Sequence, residues 1–134
     1  MNRAHAFEEY IDGRRGLPFD WGARNCCHFM LEWVLLVEPA SGISAKQPRS
    51  LAGSLRYVRK HGSLRAAVTE RLGREPIDAR LASVGDIVLC PAPGEIGEAV
   101  GICNGRTAVL LSEAGLCFHD MSTALCAWPV GGDS

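Results

Sequence analysis

Apolar positions change their rhythm along this chain near residue 84. Before it they recur at helical spacing, and after it they gather into short unbroken runs. Phe7, Tyr10 and Ile11 predict a first short helix, closed by Gly13. A loop rich in Gly and Pro follows (Gly16-Leu17-Pro18-Phe19-Asp20-Trp21-Gly22). Asn25 is a candidate N-cap for a second helix carrying Phe29, Met30, Trp33, Val34 and Val37. That apolar face is broad enough for a central, buried helix, and Pro39 stops it. Residues 40–49 read as a loop. Leu51, Leu55 and Val58 predict a third helix ending near His61-Gly62, and Ser63 caps a fourth that runs through Leu72 to Gly73.

From Val84-Gly85-Asp86 the chain reads as strands. Ile87–Cys90 is one short apolar run; Ala99–Cys103 and Thr107–Leu111 flank Asn104-Gly105, a strong hairpin signal. Leu116–His119 and Leu125–Val130 make two more. Helices first and an antiparallel meander second predict an α+β domain over residues 1–130, with 131–134 as a frayed tail. Trp21, Trp33 and Trp128 fall in three different segments, which predicts core packing and not a stacking platform.

Composition narrows the class. A 134-residue chain with 47% hydrophobic side chains is one domain with a sizeable core, which excludes intrinsic disorder. Fourteen basic against fifteen acidic residues argue neither for nucleic acid nor for an anionic membrane surface. The longest apolar stretch, Cys26–Val37, is 12 residues long and holds His28 and Glu32, so no membrane insertion is expected. No apolar signal-peptide core lies near Met1, which predicts synthesis in the cytoplasm. Charge is nonetheless uneven. Residues 49–74 hold seven basic side chains against Glu70 alone, whereas residues 86–134 hold six acids and only Arg106. Either these are ordinary solvated helices above an acidic sheet edge, or Arg56, Arg59 and Arg65 mark a docking face.

The six cysteines lie in apolar segments without CxxC spacing, which predicts free thiols with no metal and no cofactor. One of them stands apart. Cys26 directly follows the Asn25 cap, where the orphan N–H groups of a helix favour thiolate over thiol and can hold an oxyanion. A thiol there, followed by a small sheet, is the layout of a cysteine hydrolase, in which a sheet histidine serves as base and then as acid. Cys27, a third of a turn away, reads as packing.

Phe19-Asp20-Trp21-Gly22, Asn25-Cys26, Val84-Gly85-Asp86-Ile87-Val88-Leu89 and Ala99-Val100-Gly101-Ile102 together resemble the NlpC-type branch of the papain-like cysteine peptidases. More closely, the chain is similar to short members encoded near the tail genes of tailed phages. The resemblance spans about Phe7 to Trp128 and implies a papain-like fold with a central Cys-bearing helix on an antiparallel sheet. Its implied setting is a phage tail tip, with tail proteins as partners and peptidoglycan as the substrate of an active member.

Two positions depart from the family pattern. Asn25 replaces the aspartate before the nucleophile, and Ala99 stands where the family has its catalytic histidine. Alanine cannot take a proton. Among the other histidines, His28 is two residues beyond Cys26 on the same helix and faces elsewhere. His5 lies near the N-terminus and His61 in a helix–helix turn. His119, on a strand beside Asp120, is the first candidate substitute base. The expected function is therefore a structural or assembly component with a degenerate hydrolase site. The alternative is an active peptidoglycan amidase or endopeptidase using Cys26.

Overall fold

The structure is a computed structural model that describes residues 2–17, 25–46, 48–112 and 114–131. Phe19-Asp20-Trp21-Gly22 and the last three residues of the tail lie outside the described residues. Among the described residues four α-helices precede five strands: α1 (Arg3–Asp12), α2 (Cys26–Val37), α3 (Leu51–His61), α4 (Leu64–Leu72), β1 (Ile87–Pro91), β2 (Glu98–Cys103), β3 (Thr107–Ser112), β4 (Gly115–Asp120) and β5 (Cys126–Trp128). The domain is α+β, with one antiparallel sheet.

Side chains set the helix boundaries. Asn25 Oδ1 accepts the amides of Cys27 (2.9 Å) and His28 (3.1 Å). Ser50 and Ser63 cap α3 and α4 in the same way, through Gly53 N and Ala66 N. Gly73 ends α4 in the left-handed conformation, where a side chain would be strained. Phe29, Met30, Trp33 and Val34 of α2 are buried against Phe7, Ile87, Leu89, Val100, Ile102 and Val109. Phe7 meets the Trp33 ring edge-on at 5.0 Å, and Trp33 Nε1 donates to Gly85 O at 2.8 Å. α3 is different: Ser54 is its one buried residue, and Leu51 is 38% exposed.

The sheet is not a simple meander. Its order is β4-β3-β2-β1-β5, so the last strand crosses to the far edge and pairs with β1 (Ile87 opposite Trp128). A 3-10 turn at Met121–Thr123 starts that crossing, and the Ile77–Ala127 bridge extends the edge. Crossing over seals the edge of β1, whose residues Ile87–Cys90 are fully buried. Trp128 Nε1 then donates to Thr69 Oγ1, joining β5 to α4.

Both ends of the domain meet behind β1. Asp86, 4% exposed, accepts the amides of Ser83 (2.9 Å) and Val130 (3.1 Å) and lies 3.8 Å from the Arg3 guanidinium. Arg3 also donates to Val130 O. Beside them Arg74 grips Glu38 through two bonds of 2.7 and 2.8 Å, and Glu38 accepts Gly131 N. The Arg74 guanidinium holds the Glu38 carboxyl below its usual range. No helix among the described residues is long and apolar enough to cross a membrane.

Candidate functional site

The site is built where the sheet opens. β2 and β3 pair only at Ile102–Val109 and Cys103–Ala108. Upstream the strands part, because β3 passes over Gly101: a Cβ at that position would sit 2.6 Å from Val109 O. Cys103 N–H bonds to Asp86 O on the β1 side. Amides alternate along a strand, so Val100 N–H points the other way, toward the side where pairing with β3 has stopped. α2 packs against both β2 and β3.

Val100 N–H accordingly meets the half-buried Cys26 thiol. The Cys26 thiol is lowered from its ordinary pKa, first by the neighbouring Cys27 thiol, against the opposing effect of burial. The amides of Val100, Cys27 and Cys26 itself add to the lowering. Cys27 is raised, by Cys26 first and then by burial. It lies in the gap beneath α3 and α4, with Met30, Tyr57, Leu64 and Arg71. All six cysteines are free thiols. Burial pushes Cys90 up to about 11 and is the first cause that raises Cys103 and Cys126. A short pulse of iodoacetamide followed by mass spectrometry should therefore label Cys26 first. Faster labelling of Cys103 or Cys117 would show that its amide cradle does not favour the thiolate.

Among the described residues, none of the groups that shift the Cys26 thiol is an imidazole. His119 pairs across the sheet with Ala108, which packs with Val88, Cys90, Cys103 and Ala127. Cys26 packs with the larger cluster on the other face. Strand side chains alternate between faces, so His119 points away from Cys26 and does not substitute as its base. His5 lies 3.3 Å from Glu9 and His61 2.6 Å from Glu70. His28 lines a separate cavity of about 190 Å³ with Phe29 and the Arg14–Glu32 ion pair (2.6 Å). Ala99 packs on the smaller cluster; its neighbour Val100 is the strand residue that meets the thiol. The assembled parts are thus a capped helix end, a thiol and converging amides. They can hold a thiolate, or an oxyanion. Among the described residues no cluster of three His, Cys, Asp or Glu is placed to hold a metal ion.

Of the three arginines read as a docking face, two are placed by specific contacts. Arg56 lines a groove of about 540 Å³ between the loop before α3 and α3 itself. Arg65 sits on α4, where it acts on the Cys126 thiol. Arg59 lines neither. The residues that join Arg56 in the groove, Lys46, Lys60 and Arg71, come from three segments. Lys60 could have been paired with Arg56 from helical spacing; Lys46 and Arg71 reach it only through the tertiary fold.

A family model described as Domain of unknown function (DUF6950) matches residues 1–130. No curated protein matches the chain.

Proposed function

We propose that this chain, which belongs to the DUF6950 family, is an NlpC-type papain-like domain that has lost turnover and serves as a binding component of a phage tail tip or of its assembly. One observation carries the reading: Cys26 stands at the capped start of α2 under the Val100 amide, and among the described residues none of the groups that shift its thiol is an imidazole. A general base is typically worth about 10² to 10⁴ in rate. A thiolate alone also leaves the departing amine without an acid, and amines are poor leaving groups. The tail setting is supported by the resemblance of the Trp-Gly, Cys26, Gly-Asp and Val-Gly-Ile segments to short members encoded beside tail genes. With the chemistry gone, the surface does the work.

A second reading is favoured by the lowered Cys26 thiol, the one feature a hydrolase would keep. It makes the domain an amidase or endopeptidase on peptidoglycan stem peptides. Incubation with purified muropeptides separates the two. The expected result is no turnover above that of Cys26→Ala. Turnover that disappears in Cys26→Ala overturns the binding reading and restores the hydrolase.

A further inference from the structure

We propose that the groove that Ser44, Lys46 and Pro48 form with α3 binds an extended acidic peptide segment of a partner protein. The inference rests on the reading of the chain as a binding component and gives that reading a site and a ligand chemistry. Among the described residues, four cations line the groove, Lys46, Arg56, Lys60 and Arg71, and no acid does. Lys46, Arg56 and Lys60 are exposed, and none has a carboxylate partner among the described residues. Arg56 and Lys60 stand four residues apart on one face of α3, an arrangement of like charges that destabilises a helix. A solvated face built for stability alone would alternate signs there.

The groove is ordered before any ligand arrives. Arg71 donates to Ser44 O (3.2 Å), to Lys46 O and to Tyr57 Oη (3.1 Å), fixing the loop against the helix. These three hydrogen-bond partners are neutral oxygens. Gly53 keeps the floor open: a Cβ there would lie 3.1 Å from Ser50 Oγ and 3.4 Å from Pro48 Cβ. The half-buried Tyr57 ring supplies an apolar wall.

Spacing selects the ligand. Four residues of helix rise about 6 Å, which sets the interval between Arg56 and Lys60 along the axis. Alternate residues of an extended peptide are about 6.6 Å apart and point the same way. Glutamates at every second position would therefore meet both cations, while the intervening side chains face Tyr57 or solvent. A long nucleic acid fits less well. α3 is only about 16 Å long, which spans few phosphates.

The test is fluorescence anisotropy of a labelled octapeptide alternating glutamate and serine, titrated with the whole chain at low salt. Saturable binding is expected, weakened about tenfold or more in Arg56→Glu/Lys60→Glu and in the same direction by Lys46→Glu on the opposite wall. Arg59→Glu/Arg65→Glu carries the same change in net charge and should stay within about twofold of the unmodified chain. Equal weakening by both pairs, absence of saturable binding, tighter binding of an oligothymidylate, or full displacement by inorganic phosphate at matched charge would each overturn the assignment. Muropeptide turnover judges the loss of catalysis separately, so failure of one reading is not mistaken for failure of the other.

Discussion

Asp86→Ala is expected to lower the free energy of unfolding by about 3 to 5 kcal/mol, the range for stripping one partner from a buried ion pair. The carboxylate is 4% exposed and satisfies the Ser83 and Val130 amides at once. Its removal strands two donors and leaves the Arg3 guanidinium, itself 15% exposed, without its counter-charge. Asp86→Asn keeps the volume and one acceptor, so it should fall between the two. Urea titrations of the three proteins would show this as ordered midpoints with unchanged slopes. An Asp86→Ala protein within about 1 kcal/mol of the parent would mean that the carboxylate does not hold the two ends together.

Gly101→Ala is expected to cost about 1 to 3 kcal/mol, the usual range for forcing extra volume into a packed interior. The added methyl would stand 2.6 Å from Val109 O and 2.8 Å from Leu110 Cγ. Backbone cannot swing aside as a side-chain tip can, so β3 must move. Because Val100 precedes this point and its amide faces Cys26, the same substitution should slow alkylation of Cys26. Loss of stability with unchanged Cys26 reactivity would separate the glycine from the site; loss of neither would remove the close approach altogether.

The helical half was legible because its signals are local. Asn25, Ser50 and Ser63 each carry an oxygen that reaches an amide two or three residues on, and Gly62 and Gly73 end their helices where a side chain would be strained. Asn104-Gly105 announced its hairpin for the same reason. The edge that β5 chooses was not legible. Its alternation is satisfied equally beside β4 or β1, and only the burial of β1 on both sides decides.

Cys26 was found from its helix end alone. The amide that meets it was not, because the opening between β2 and β3 depends on how β3 crosses Gly101. His119 failed as a base through register: counting across the β3–β4 hairpin places it beside Ala108, on the face away from Cys26. Asp86 was read as part of a strand motif, although a lone acid before four buried apolar residues is itself a sign of a buried partner. The basic side chains were visible in the sequence, but their grouping was not. Arg56 and Lys60 share a helix, whereas Lys46 arrives on a loop that Arg71 ties down.

The junction of Arg3 with Asp86 and Val130 also bears on how the protein is made. A growing chain can form α1, α2 and most of the sheet while its later residues are still inside the ribosome. It cannot close the contact between residues 3 and 130 until synthesis has passed that point. Contacts this far apart in sequence form slowly. Until β5 arrives, the edge of β1 that it covers is open to strands of neighbouring nascent chains. Pausing before the codons for β5 have been translated would therefore favour aggregation more than pausing earlier, before β1 has emerged. Yield should accordingly respond to codon speed over the segment that encodes β5.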